Sequence, residues 1–210
     1  MGLMKNLFNN TRKPQGTLGK MMVKSMNSGH AKVSAWGMEY LPLMGPDHIL
    51  DAGCGGGKSA ETMLKKYPGA HLTALDYSEV SVDMATKNNE GEIKAGRCRV
   101  IQGDVSNLPF EDGTFDLATA FETVYFWPGP EKSFGEICRT LKPGGTFLIV
   151  NESDGTNDKD QKWVDMIDGM RIYSESDMIK HLQAAGFGKV EVHHHPKNNW
   201  IAFVAEKTKE

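Results

Sequence analysis

The feature that most constrains the fold of this 210-residue chain is a regular alternation of short apolar runs with amphipathic stretches, which begins at His48. The first amphipathic stretch repeats apolar residues at the spacing i, i+3, i+4 and i+7, at Ala60, Met63, Leu64 and Tyr67. This spacing gives an α-helix one apolar face. Strands that alternate with helices predict an α/β fold, in which right-handed crossovers build a mostly parallel sheet flanked by helices.

Seven apolar runs predict strands, at residues 49–50, 71–75, 99–101, 115–121, 146–150, 190–194 and 200–205. The last two are joined by the short turn 196–199, which leaves no room for a crossover helix. They must therefore pair as an antiparallel hairpin. Ser78 and Ser174 are predicted to cap the helices that follow them, and Gly186 is predicted to end the last helix.

The length of the chain suits a single domain. Residues 1–47 are polar and Met-rich and contain no strand-like run, so we expect a helical cap segment before an α/β core at 48–210. Residues 153–173 form the longest irregular stretch, and inserts of this kind usually cover an active site. The cap segment is predicted to pack one apolar helical stripe on the domain, formed by Leu18, Met21, Met22 and Met26.

The composition argues against several functional classes. A net charge of −3 and a pI near 6.2 do not fit an electrostatic nucleic-acid binder. No run approaches the roughly 18 apolar residues of a membrane span, and the first residues carry neither a secretory apolar region nor a myristoylation motif. We expect a cytoplasmic protein without a membrane span, as a monomer or homodimer.

The sequence predicts no metal site. Its three cysteines, Cys54, Cys98 and Cys138, are too few and too scattered for a zinc cluster or a disulfide framework. His193 and His195 would share one face of a strand, but two imidazoles without a third ligand make a poor metal site. We therefore interpret them as surface histidines.

A glycine-rich turn at residues 51–57 directly follows the first strand and opens the first helix. Glycines there let the backbone approach a ligand closely, next to the unpaired N–H groups of a helix N-terminus. The spacing is not that of the dinucleotide-binding fingerprint, because Lys58 stands where its third glycine should be. A phosphate-binding loop does not fit either, since it would require glycine in place of Ala52.

An acidic residue follows each of the first three strands: Asp51, Asp76 and Asp104. In an open α/β sheet, ligands bind at the carboxyl ends of the strands, close to the point where the strand order reverses. Three carboxylates at this edge suit a ligand with a ribose diol, an amine and a cationic centre, and they would repel a pyrophosphate. Each acid alone could equally cap a turn, but all three together indicate a binding site.

Four segments resemble those of class I S-adenosylmethionine-dependent methyltransferases and occur in the same order. Residues 49–57 resemble motif I, and residues 74–78 resemble the ribose-binding segment. Residues 102–105 with 108–110 resemble the adenine-binding loop, and residues 141–145 resemble the turn before strand five. The resemblance suggests small-molecule enzymes of the ubiquinone and menaquinone biosynthesis type. The resemblance implies a Rossmann-like seven-stranded sheet ending in an antiparallel hairpin. It also implies S-adenosyl-L-methionine as the cofactor and S-adenosyl-L-homocysteine as the product.

The resemblance assigns residues to the reactive end of the cofactor. Asp51, Gly53 and Gly55 would hold the methionine portion, with Asp51 near its amino group. Phe121 and Glu122, at the end of the fourth strand, would lie near the sulfonium and the methyl group.

The resemblance also assigns residues to the nucleoside. Asp76 would accept both ribose hydroxyls, and Tyr77 would pack beside the adenine. Asp104 would accept the adenine amino group, and the backbone N–H of Val105 would reach a ring nitrogen.

Methyl transfer needs proximity and alignment, and some acceptors also need a base. The candidate catalytic residues are His30, Glu122 and Glu152, although His30 could equally be a capping histidine and Glu152 a loop carboxylate. The acceptor would contact Tyr125, Trp127 and Glu152, with at least one aromatic residue after strand four belonging to the ordinary core.

The leading hypothesis is a methyltransferase that acts on a small molecule. Residues 123–128 lack the Asn/Asp-Pro-Pro-Tyr/Phe motif of nucleic-acid amino-methyltransferases, which counts against a nucleic-acid acceptor. Two alternatives stay open from the residues: an NAD(P)-dependent oxidoreductase, and a non-catalytic module that binds S-adenosylmethionine.

Overall fold

A seven-stranded sheet with the order β3-β2-β1-β4-β5-β7-β6 organises the protein. The computed structural model describes residues 11–209, apart from the side chain of Lys159, so the first ten residues of the expected cap segment lie outside it. The strands are β1 His48–Ala52, β2 His71–Asp76, β3 Cys98–Gln102, β4 Phe115–Phe121, β5 Leu141–Asn151, β6 Phe187–His194 and β7 Ile201–Lys207.

Helices flank this sheet, and two of them precede its first strand in the chain. They include α1 Gly16–Gly29, α2 Ala31–Gly37, α3 Lys58–Lys66, α4 Glu79–Asn88, α5 Glu90–Lys94, α6 Pro130–Thr140, α7 Gln161–Met166 and α8 Glu175–Ala184. Short 3₁₀ turns lie at Met38–Tyr40, Val124–Phe126 and Asp158–Asp160.

The fold prediction is confirmed. Strands β3, β2, β1, β4 and β5 are parallel to one another, whereas β7 pairs antiparallel with both β5 and β6. The strand order reverses between β1 and β4, and the crevice beyond their carboxyl ends is where such sheets bind ligands.

The predicted helix boundaries are also confirmed. Ser78 Oγ accepts a hydrogen bond from the backbone N–H of Ser81 at 3.3 Å, and Ser174 Oγ accepts one from Asp177 at 3.2 Å. Gly186 has a φ of +104°, which favours glycine directly after α8. The start of β5 differs from the prediction, because Leu141 already pairs with Phe115 across an irregular register.

The prediction for the apolar stripe of α1 is wrong for two of its four residues. Leu18 is 43% exposed and Met21 is 70% exposed, while Met22 and Met26 are half-buried. The buried positions of α1 are instead Gly19 and Val23. Gly19 lies so close to Pro14 that a β-carbon would come within 2.7 Å of the proline carbonyl carbon, so the helix packs through its smallest residue.

Gly37, at the end of α2, gives a stability prediction because a β-carbon there would lie 2.3 Å from Val150 Cγ2 on β5. Its φ of −62° suits any residue, so packing alone opposes a side chain. We expect Gly37→Ala to lower the free energy of unfolding in urea by about 1–3 kcal/mol through overpacking. Val150→Ala in the same chain should recover part of that loss, as a coupling in a double-mutant cycle.

The matched control is Gly29→Ala, at the end of α1, where nothing lies within 4 Å of the added β-carbon. It should change the free energy of unfolding by no more than about 0.5 kcal/mol. Equal stability of the Gly37→Ala and Gly29→Ala variants would disprove the close approach of α2 to β5.

Candidate active site

A cavity of about 770 Å³ opens at the carboxyl ends of the parallel strands. Its walls come from the loops after β1, β2, β3, β4 and β5, from α1 and α2, and from the segment 153–173. All the site residues predicted from the sequence line it: His30, Asp51, Gly53, Gly55, Asp76, Tyr77, Asp104, Val105, Phe121, Glu122, Tyr125, Trp127 and Glu152.

The glycine-rich turn after β1 forms one wall of the cavity. Gly53 has a φ of +75°, and a β-carbon on it would lie 2.1 Å from Thr123 Oγ1, so this position accepts only glycine without a rearrangement. Gly55 has a φ of +52°, but no described atom lies within 4 Å of its β-carbon position. The turn therefore presents bare backbone to open space.

Asp76, at the end of β2, is fixed against that turn. Its two carboxylate oxygens accept hydrogen bonds from the backbone N–H groups of Gly55 and Ser78, each at 2.9 Å. Burial raises the pKa of Asp76, and these two hydrogen bonds oppose the rise because they favour the charged form.

Asp51, at the end of β1, is almost completely buried, and only one of its two carboxylate oxygens has a hydrogen-bond partner among the described residues. Its Oδ1 atom accepts a hydrogen bond from Thr119 Oγ1 at 2.9 Å, whereas its shielded Oδ2 atom has no partner among the described residues. Burial raises the pKa of this carboxyl to about 7. A cationic group beside Oδ2 would stabilise the charged carboxylate.

The nucleoside side of the cavity is more open. Asp104 is exposed, and its Oδ1 atom accepts hydrogen bonds from the backbone N–H and the hydroxyl of Ser106, both at 2.8 Å. The Val105 side chain is buried beneath this loop.

A short segment of chain at residues 11–14, the strap, crosses from the end of β2 to the segment 153–173. The Tyr77 hydroxyl donates to the Arg12 carbonyl, and Ser78 Oγ donates to the Pro14 carbonyl at 2.8 Å. The Arg12 guanidinium donates to the Asp168 carbonyl, also at 2.8 Å. Through these hydrogen bonds, the strap connects the nucleoside side of the cavity to the segment 153–173.

Three titratable side chains from different elements meet at the other end of the cavity. One potential ligand atom from each of His30, Glu122 and Glu152 lies within 4.8 Å of the other two. Glu122 follows β4 and has a φ of +55°, a conformation that costs a non-glycine residue about 1–3 kcal/mol. The sequence named these three residues separately as candidate catalytic groups, and the structure places them together.

Burial controls the protonation of this cluster. It raises the pKa of Glu122 well above its ordinary value, and the negative charge of Glu152 raises it further. Burial also lowers the pKa of His30, which favours a neutral imidazole. The Oε1 atom of Glu122 is shielded from solvent and accepts no hydrogen bond from the described residues.

The aromatic residues after β4 divide between cavity wall and core. Tyr125 is buried, and its hydroxyl oxygen accepts a hydrogen bond from the Ser153 N–H at 3.1 Å. Trp127 stacks in the core with its ring centre 6.1 Å from that of Phe147, although one side of it lines the cavity. The sequence prediction that this group includes a core residue is met by Trp127.

Comparison with known proteins agrees with this geometry. Residues 50–149 match a family model described as a methyltransferase domain. The sterol 24-C-methyltransferase ERG6B of Gibberella zeae is 32% identical over 70% of this chain and 40% of its own length. The uncharacterized methyltransferase YdaC of Bacillus subtilis is 26% identical over 80% of this chain and 86% of its own.

A solved chain from the complex of the Haloferax volcanii Trm112 methyltransferase activator with a methyltransferase has the same fold. Its TM-score is 0.81 with 21% identity, over 89% of this chain and 93% of the other. These matches support the resemblance to the class I S-adenosylmethionine-dependent methyltransferases. The chain spans about two fifths of the length of the sterol methyltransferase it matches.

The cavity fits S-adenosylmethionine, the cofactor that the resemblance implies. The partnerless Oδ2 atom of Asp51 suits the ammonium of a methionine moiety, and the free space beside Gly55 leaves room for its chain. Asp76 ends β2, Asp104 follows the adjacent strand β3, and both line the cavity, where the resemblance assigns them to the ribose and the base. The matches with methyltransferases do not support the oxidoreductase alternative.

Several residues that line the cavity were missed by sequence reasoning. Asn27, one helical turn before His30, lies against the glycine-rich turn, since a β-carbon on Gly56 would come within 2.3 Å of its amide nitrogen. The i, i+3 spacing of Asn27 and His30 is a signal that could have indicated it. Trp163, Ile167 and Met170 also line the cavity, but nothing in their spacing indicates chemistry. No helix within residues 11–209 has the length and apolar character to cross a membrane.

Proposed function

We propose that this chain transfers a methyl group from S-adenosyl-L-methionine to a small, largely apolar acceptor. The observation that carries the proposal is a single cavity that joins two different surfaces. At one end lie the acids and bare backbone of Asp51, Gly55 and Asp76, and at the other lie Glu122 and an aromatic wall.

The residues that would hold the cofactor are those of the first end. Asp51 would face its amino group, Asp76 its ribose and Asp104 its base, with Asn27 beside the glycine-rich turn. When bound, the cofactor supplies a methyl carbon activated by a positive sulfur. The chain then contributes alignment of the acceptor, exclusion of water and a carboxylate that can receive a proton.

The segments around the cavity support a small acceptor. Residues 26–38 and 153–172 contribute Met26, Met38, Trp163, Ile167 and Met170, which form apolar walls above the sheet. We assign both segments as parts of the cap. The sterol methyltransferase relative is named for an apolar substrate, which agrees with such walls.

Calorimetric titration of the protein with S-adenosylmethionine, S-adenosylhomocysteine and NADH tests the cofactor. We expect the first two to bind with micromolar affinity, about −8 kcal/mol, and NADH not to bind. Binding of NADH alone would overturn the proposal. Transfer of a radiolabelled methyl group to any acceptor in a panel of phenols, amines, thiols and alkenes would then separate an enzyme from a non-catalytic binding module.

A further inference from the structure

The acceptor end of the cavity is acidic. Glu122, Glu152 and Asp160 all line it, and they come from the ends of β4 and β5 and from the segment above them. Burial and then the negative charge of Asp160 raise the pKa of Glu152, just as Glu152 affects Glu122. Asp160 therefore lies close enough to Glu152 to disfavour its ionisation, and Glu152 lies close enough to Glu122 to do the same.

The basic side chains that line the described cavity contact groups other than Glu122 and Glu152. The Arg12 guanidinium donates to the Asp168 carbonyl, and Lys58 forms an ion pair with Glu61 at 2.7 Å. Burial favours the neutral form of His30, as described above. Among the ion pairs of residues 11–209, none involves Glu122 or Glu152.

One oxygen of the Glu122 carboxyl lacks a donor, and aromatic residues line the cavity that contains it. The shielded Oε1 atom of Glu122 accepts no hydrogen bond from the described part of the chain. Tyr125, Phe126 and Trp163 line the same cavity as Glu122. A shielded carboxyl gains most from a positively charged donor, and aromatic faces attract cations.

We infer that the methyl acceptor is a hydrophobic amine, with its nitrogen against Glu122 and Glu152 and its apolar body against the aromatic and methionine side chains. This inference rests on the proposed function and names its substrate class. A phenolate or carboxylate acceptor would add another negative charge to the acids. A neutral alcohol would gain only an ordinary hydrogen bond.

The chemistry balances with the groups present. The positive charge of a bound ammonium favours the ionised form of Glu122. In that form the Glu122 carboxylate takes one proton from the ammonium, and the freed nitrogen lone pair forms the N–C bond to the methyl carbon. The C–S bond breaks and its electron pair stays on sulfur, so the sulfonium becomes a neutral thioether. The product is the methylated ammonium, and the proton on Glu122 passes to solvent.

The test uses binding, which does not depend on turnover. The full chain, saturated with S-adenosylhomocysteine, is titrated with 2-(2-naphthyl)ethylamine, the matching alcohol, the matching carboxylic acid and 2-vinylnaphthalene. We expect the amine to bind at least about tenfold more tightly than each of the others. Both Glu122→Gln and Glu152→Gln should remove most of this preference, whereas Glu111→Gln, on an exposed loop, should retain it.

The outcomes separate this inference from the proposed function. Failure of S-adenosylhomocysteine to bind the wild type would overturn the proposed function. If it binds but the amine shows no preference, or no binding, the amine inference alone is wrong. The result for a variant is interpreted only if that variant still binds S-adenosylhomocysteine. If Glu122→Gln does not fold, Glu152→Gln, at an exposed position, provides the test. Preference for the alkene would indicate C-methylation instead.

Discussion

Replacing Asp76 with alanine is expected to weaken the binding of S-adenosylhomocysteine by at least about 100-fold. The change removes a buried carboxylate that would accept the ribose hydroxyls and that now accepts the N–H groups of Gly55 and Ser78. A hydrogen bond to a charged group contributes about 1.5–3 kcal/mol, so losing two corresponds to about 3–6 kcal/mol.

Isothermal titration calorimetry measures this effect directly. Asp83→Ala is the matched control, because Asp83 lies exposed on α4 and does not line the cavity. It should bind S-adenosylhomocysteine as the wild type does. Unchanged affinity of a folded Asp76→Ala variant would refute the ribose assignment.

The stability of the ligand-free protein is expected to fall with rising pH because of Asp51. Burial raises the pKa of this residue from 3.8 to about 7, so the folded state holds its proton over a range in which the unfolded state has lost it. The stabilisation is fully present below pH 4 and is lost as the pH rises through 7. Between pH 5 and pH 8 the loss attributable to Asp51 is about 3 kcal/mol.

Urea unfolding of wild type and Asp51→Asn, at several values across that range, isolates the effect. The asparagine cannot ionise, so its stability relative to the wild type should increase by that amount as the pH rises. Asp104→Asn, at an exposed position, serves as the control and should follow the wild type. Parallel curves for wild type and Asp51→Asn would contradict the buried, protonated carboxyl.

Much of the fold could be predicted because its signals are local. The spacing of apolar residues gives the strands and helices, and the short connection before β7 allows nothing but a hairpin. Ser78 and Ser174 cap their helices through neighbours three residues away. The early start of β5 could not be predicted, because it depends on the pairing of Leu141 with Phe115, which is remote in sequence.

The residues of the candidate site that follow strands could be predicted from the topology of the sheet. A parallel sheet brings Asp51, Asp76 and Asp104 to one edge whatever the details of packing. The convergence of His30 with Glu122 could not be predicted, because it depends on how α1 and α2 dock on the sheet. The exposure of Leu18 and Met21 has the same cause.

The position of β7 determines the order in which the sheet can be completed. This strand lies between β5 and β6, although it follows both in the chain. The five parallel strands, with the acids at their ends, can pair before residues 201–207 leave the ribosome, but the free edge of β5 stays uncovered until then. In a nascent chain, the uncovered edge of β5 can therefore pair with other strands during the time when the five parallel strands are already assembled.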